Sequence, residues 1–503
     1  MVMKEEKTDS YNHVLKYTGL LGGVQVFYIL LSVVRNKLTA IFIGEAGMGL
    51  ADLYARTTEL LANATNFGLG FSAVRRLSEL YDERTHVTEE QTECVRTIRT
   101  CTLMAALLGA MVCLFLSPWL SRWVMGNAEH TLSFSLLSPM VAFATLTGGE
   151  MAVLKAMRQL KKVAANSALS ALCTLLVAAP LYAWLGIKGV IPVLLLTSGI
   201  MWGLHFRAAC ETFSYRVSPF RYRTLSDGIP LIRLGLYYIA AGLFGSGAEL
   251  LIRVSVVSSE GGLVVSGLYA AGLTLTVSYA RLVFVAMDSD YFPRLSSVVS
   301  DSERMNRAVN RQIDVLVLLM APFLILFALC LPIVVRLLYK ESFLPVMPMV
   351  ICALPYMFFK AVYSPIAYLS LASGSGRVYI IMELIYDVVL AVSVIAGYQM
   401  GGLTGAGLGL SLANLCDLVM LTLVYGRLYH FSFERSTFCR AAVHASLLLV
   451  GLLLAWQSCL WLRCAGGACV FMLSIAYSWR LLNKETVIVA KIKSLRGKFW
   501  KKK

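Results

Sequence analysis

Charge is scarce in this chain: 15% of its 503 residues are charged, where a soluble domain carries about 25%. With 58% hydrophobic residues and a mean hydropathy of +0.71, it has too little polar surface to cover a water-soluble globule. Polar stretches are short, which excludes an appended soluble domain. Metal-ligand patterns are missing as well. None of the twelve cysteines forms a CxxC pair and most lie in apolar runs, where cysteine behaves as a small hydrophobe. The six histidines are dispersed, so no metal site is expected. No nucleophile elbow, Walker motif or sugar-nucleotide signature appears, and neither an enzyme nor a cofactor is expected. Residues 1–13 are polar and lack a small-x-small cleavage site, so they read as a retained cytoplasmic tail and not a signal peptide.

What the chain does have is long apolar runs. A membrane span needs roughly 20 mainly apolar residues. About fourteen stretches qualify, among them 14–34, 48–72, 98–118, 132–154, 263–287, 377–397 and 403–426. The last two, 440–462 and 465–482, are separated only by Arg463 and Cys464, so twelve and fourteen spans are both open. Either even number puts both termini on one side. The net charge of +16 would suggest nucleic acid in a soluble protein, but here the basic residues punctuate apolar spans. The connections after even-numbered spans carry 21 Lys or Arg, counting Arg99, and the opposite ones carry 8. Basic residues concentrate on the cytoplasmic side, which places both termini in the cytoplasm. The run from Lys491 to Lys503 then meets anionic headgroups.

The chain also repeats. At an offset of 218, Arg35 aligns with Arg253, Gly44 with Gly262, Gly49 with Gly267, and Arg76-Leu77-Ser78 with Arg294-Leu295-Ser296. The matched arginines fall at equivalent ends of spans, and six spans per repeat is an even number. Both halves therefore share one orientation, as in transporters built from parallel repeats. The expected architecture is an all-α membrane protein of 12–14 helices. Its divisions are a tail (1–13), a first lobe (14–222), a second lobe (223–430), and one or two extra helices with a basic tail (431–503).

Several motifs now become recognisable. Arg35-Asn36-Lys37-Leu38 followed by Ile43-Gly44-Glu45-Ala46-Gly47-Met48-Gly49-Leu50 resembles the first loop of Wzx-type O-antigen and lipid III flippases. Asn66-Phe67-Gly68-Leu69-Gly70 with Val74-Arg75-Arg76-Leu77 resembles the end of their second span, and Tyr291-Phe292-Pro293-Arg294-Leu295-Ser296 the segment after their eighth. The resemblance covers most of residues 14–430. It implies the MOP superfamily, which also holds MATE drug exporters and lipid II flippases. It implies two six-helix lobes around a V-shaped central cavity, and an undecaprenyl-pyrophosphate-linked oligosaccharide as cargo. A polysaccharide polymerase is an implied partner, and the inner membrane the implied location. A MATE-like exporter and a lipid II-type flippase are the alternatives.

Such a cargo needs cations for its phosphates. Charges inside spans are costly and mark functional candidates. Arg281, near the middle of span 8, is the foremost pyrophosphate candidate, because guanidinium binds phosphate bidentately and stays charged when desolvated. Arg56, Lys360, Arg35 and Arg253 are the others. Arg56 and Glu59, at i, i+3, can instead simply pair. Glu383 and Asp387 share a helix face, and with Asp417 and Glu59 they are candidates for proton or cation coupling. Each also has a bland reading, as half of a structural ion pair or an interfacial anchor. Tyr237, Tyr238, Tyr279 and Tyr363 could stack on sugars, although most aromatics here pack helices or line the headgroup belt.

Overall fold

A computed structural model describes residues 30–81, 87–218, 222–258, 262–278, 284, 291–292, 294–457, 459 and 461–485. Both tails, residues 14–29 of the first span, Tyr279, Arg281, Asp288 and Asp290 lie outside the described residues, as do the side chains of Tyr237 and Tyr238. All described elements are helical.

Two compact units divide the chain. The first holds Met1–Ala270 and Leu337–Phe343, the second Ala271–Arg336 and Leu344–Lys503. The boundary drawn from sequence between 222 and 223 therefore falls inside the first unit. That unit contains α1 (residues 30–42), α2 (Gly44–Thr65), α3 (Leu69–Glu79), α4 (Glu89–Met125), α5 (Thr131–Leu136), α6 (Ser138–Ala156), α7 (Leu160–Leu185), α8 (Val190–Cys210), α9 (Tyr222–Val257) and most of α10 (Gly262–Leu273). The second contains α11 (residues 294–298), all but the last two residues of α12 (Ser302–Leu338), α13 (Met347–Ala372), α14 (Gly376–Leu428), α15 (Arg435–Trp456) and α16 (Gly467–Glu485).

Among the described residues, eight helical stretches are long and apolar enough to cross a membrane. Two of them, Leu160–Cys210 and Gly376–Leu428, each hold two helices. A 3-10 turn at Gly186–Gly189 separates α7 from α8, and α14 breaks where Gly402 adopts φ 56°. That break falls where the sequence separates 377–397 from 403–426. The final two apolar runs form separate helices, α15 and α16, each long and apolar enough to cross a membrane. By contrast, span 2 is not one helix over 48–72. It stops at Thr65 because Asn66 Oδ1 accepts a hydrogen bond from Gly68 N at 2.7 Å, an Asx turn, and Gly68 turns left-handed. A side chain at Gly68 would also collide with the Gly235 carbonyl, 2.3 Å away.

A bilayer supplies little hydrophobic drive between helices, so small residues that let backbones touch do the joining. In the α14 hairpin a Cβ on Gly405 would lie 1.9 Å from the Gly397 carbonyl, and one on Gly409 2.3 Å from that of Ser393. In the first unit Gly49 and Gly267 meet directly, with a Cβ on Gly49 falling 2.8 Å from Gly267 N. These two glycines are equated by the 218-residue repeat. Facing outward instead are Phe115, Trp184, Met400 and Trp461, each at least 77% exposed, as lipid-covered side chains are.

The C-terminal hairpin is tied to α12 by polar bonds. Asn306, Asn310 and Asp314 follow one another at intervals of four, on one face. Asn306 Nδ2 donates to the His430 carbonyl and its Oδ1 accepts from Ser432 N, at 3.0 and 2.9 Å. Asn310 repeats the pattern with the Ser432 carbonyl and Glu434 N, both at 2.9 Å. Asp314 then receives Arg440 at 2.6 Å and Thr437 at 3.2 Å. Further along, His444 sits between α15 and α16 with Ser474 and Ser478 3.3 and 3.2 Å from its two ring nitrogens.

Gly405→Ala is expected to lower the melting temperature in detergent, at the ~1–3 kcal/mol typical of overpacking. Gly401→Ala, whose Cβ meets nothing within 4 Å, is expected to be milder. Equal shifts would contradict the glycine contact. For the C-terminal tie, Asn310→Ala should expose residues 429–434 to limited proteolysis without loss of helical circular dichroism.

Candidate functional site

Charged side chains inside the helices gather in groups, and each group has its own reason to exist. In the first unit Asp52, Arg56 and Glu59 lie on one face of α2, opposite Glu249 and Arg253 of α9. Arg253 is buried, its side chain 3% exposed. Its Nε donates to Asp52 Oδ2 at 2.6 Å and its Nη1 to the Glu249 carbonyl at 2.9 Å, with the Tyr269 ring centroid 6.0 Å away. Arg56 is 36% exposed and reaches Glu59 at 2.9 Å, Glu249 at 3.3 Å and Asp52 at 3.6 Å. Two guanidiniums thus face three carboxylates. Arg253 fixes α9 to α2, whereas Arg56 stays partly exposed. Arg35, the equivalent of Arg253 under the repeat, sits half-buried in α1.

Glu59 also borders a cavity of about 410 Å3 whose remaining polar wall is uncharged, including Thr58, Asn63, Asn66, Thr102 and Thr145. Asn63 Nδ2 donates to Ser246 Oγ at 2.9 Å.

The second unit brings together three sequence candidates. Lys360 of α13, and Glu383 and Asp417 from the two halves of α14, share a pocket of about 240 Å3. The Lys360 ammonium lies 5.6 Å from the Phe284 ring centroid and 5.8 Å from that of Tyr356, a cation held over aromatic faces. It also acts electrostatically on both carboxylates, and Glu383 is hydrogen-bonded to Tyr379. Tyr363, Tyr379, Tyr386 and Tyr425 supply much of the remaining wall. Asp387 shares the helix face of Glu383, yet it is 8% exposed and contributes nothing to that wall.

One pair escaped the sequence. Arg99, counted there with a cytoplasmic connection, lies inside α4 at 4% exposure. Its Nε and Nη2 grip the two Glu150 oxygens at 2.9 and 3.0 Å, and Nη1 donates to the Phe213 and Ser214 carbonyls at 3.1 Å each. The Tyr215 ring centroid stands 5.3 Å off. A glutamate in an apolar span is itself the available signal, because it demands a cation. With both Glu150 oxygens and all three guanidinium nitrogens paired, this pair is structural. Arg281, the leading candidate for phosphate, lies outside the described residues.

Glu150→Ala should therefore be strongly destabilising, by the roughly 3–5 kcal/mol that follows loss of one partner of a buried ion pair. The double variant Arg99→Met with Glu150→Leu should recover most of that loss in a thermal-stability assay. A double variant no better than the single one would refute the structural role.

Comparison with known proteins follows the same division between fold and site. MurJ, the lipid II flippase, in an inward closed conformation, shares this fold with a TM-score of 0.69 at 15% identity, over 92% of this chain and 99% of that one. An inward-facing multidrug resistance MATE family transporter of the MOP superfamily aligns with a TM-score of 0.61 at 15% identity, over 84% and 96%. A Vibrio cholerae MATE transporter aligns with 0.57 at 14% identity, over 86% and 100%. Compared by sequence with curated proteins, the chain has no match. The sequence profile of one family does match, over residues 84–348, more than half of the chain. On that match this multi-pass membrane protein, with the fold of MOP-superfamily transporters, belongs to the polysaccharide biosynthesis protein family.

Proposed function

We propose that the protein is a flippase carrying an undecaprenyl-pyrophosphate-linked oligosaccharide from the cytoplasmic to the outer leaflet of a bacterial inner membrane by alternating access. One observation carries the reading: a member of a polysaccharide biosynthesis family has the fold of a lipid II flippase. Transport of this kind forms no covalent bond, so the residues need only bind, shield and release. Arg281 and Arg56 are the pyrophosphate contacts, the latter because its guanidinium is the partly exposed one of its cluster, 36% against 3% for Arg253. Arg253 acts as a positioning residue for Asp52, and Arg35 as a contact at the external mouth. Lys360, Glu383 and Asp417 form the coupling group, in which a proton or cation moving onto the carboxylates alters their hold on Lys360. A polysaccharide polymerase on the far side would consume the exported unit.

A MATE-like exporter is the second reading, and a specific observation favours it. Carboxylates outnumber cations three to two around Arg56 and two to one around Lys360, as suits a cationic cargo.

Deleting the gene separates the two. The flippase reading expects lipid-linked glycan to accumulate facing the cytoplasm and surface polysaccharide to fall. Intact surface glycan with lost drug resistance would select the exporter. Complementation with Arg281→Ala should fail, and with Arg281→Lys recover only in part, since an ammonium cannot clamp phosphate bidentately.

A further inference from the structure

The tyrosine-walled pocket of the second unit is too small for the drug-sized ligands that occupy cavities of about 300–1,000 Å3, and far larger than an ion requires. Its chemistry is mixed in a particular way. Aromatic faces carry negative charge that attracts the weakly positive ring hydrogens on the apolar face of a pyranose. Glu383 and Asp417 present carboxylate oxygens, which accept paired hydroxyl donors. Two carboxylates repel a phosphate, so the pocket does not suit the pyrophosphate end of a lipid-linked glycan. A bound cation would have to compete with the Lys360 ammonium, which already stands over aromatic faces and acts on both carboxylates. Among the described residues, no three His, Cys, Asp or Glu side chains converge to hold a metal.

Its depth adds a second constraint. The wall draws on α13 from Tyr356 onward, the first turns of α14 and the closing turns of α14, so it runs from the middle of the helices toward the side that carries the 373–375 and 429–434 connections. At 1.5 Å per residue, Glu383 lies about 10 Å from its helix end, Asp417 about 16 Å and Lys360 about 18 Å. The basic-residue bias assigns that side to the cytoplasm, where a lipid-linked sugar is assembled.

We propose that this pocket is a subsite for one uncharged sugar residue of the glycan, stacked on the Tyr363, Tyr379 and Tyr386 rings with its hydroxyls donated to Glu383 and Asp417. The assignment rests on the flippase reading and gives its cargo a specific seat. Lys360 acts electrostatically on both carboxylates, and the sugar's hydroxyls replace the water they would otherwise hold.

Saturation-transfer NMR on the purified full-length protein in nanodiscs tests it, with glucose, galactose, rhamnose and N-acetylglucosamine as probes. At least one is expected to receive saturation, with the amplitude cut at least fivefold by Tyr379→Leu and by Asp417→Asn. Circular dichroism and size exclusion establish that each variant is folded. Tyr379→Phe, which keeps the ring, should retain more transfer than Tyr379→Leu. No transfer to any of the four sugars, or transfer that the variants leave unchanged, overturns the assignment. Sodium-23 line broadening abolished by Asp417→Asn, in place of sugar transfer, makes the pocket a cation site and overturns it equally. Binding is read without transport. A deletion strain defective in glycan export whose protein binds no sugar fails the subsite alone, while sugar binding beside intact export fails the flippase reading.

Discussion

A charge can enter a hydrocarbon slab only if something inside the slab compensates it, and the described helices are arranged around that requirement. Arg99 with Glu150, Arg253 with Asp52, and Asp314 with Arg440 each join two helices through a charge pair at 2.6 to 2.9 Å. Each pair gives little net stability over an apolar alternative, but losing one member is costly. The pairs therefore act as registration points: α4 against α6, α2 against α9, and α12 against α15. Once these are set, Glu59, Lys360, Glu383 and Asp417 border cavities, while Asp387 stays buried beside them.

Glycine provides the complementary freedom. Where polar pairs fix register, close backbone approaches at Gly49, Gly68 and Gly405 set how near the helices come. The asparagine pair of α12 does something different again. By spending both functions of two side-chain amides on successive backbone groups of residues 430–434, it holds an extended linker as a neighbouring strand would, in a protein whose described elements are all helical.

Much of this architecture can be read directly from residues. The apolar runs mark the helices, Gly401-Gly402 marks the break inside α14, and the i, i+3 spacing of Arg56 and Glu59 anticipates their bond. Contacts distant in sequence are not legible in this way. Nothing in the spacing couples Asp52 to Arg253 across 201 positions. Arg99 was read as a loop residue because it stands where an apolar run begins, while α4 in fact starts at Glu89, nearly three turns earlier. The tyrosines of the second pocket are indistinguishable in sequence from packing aromatics, and only folding α14 back on α13 gathers them.

The contact between Gly49 and Gly267 is reciprocal. Positions that an internal repeat equates meet as equivalent residues do across the two-fold axis of a homodimer. Each of the two glycines is the other's neighbour, so neither can take a side chain without the other backbone giving way. A bulky residue fixed at one of them would still have to be accommodated by the other.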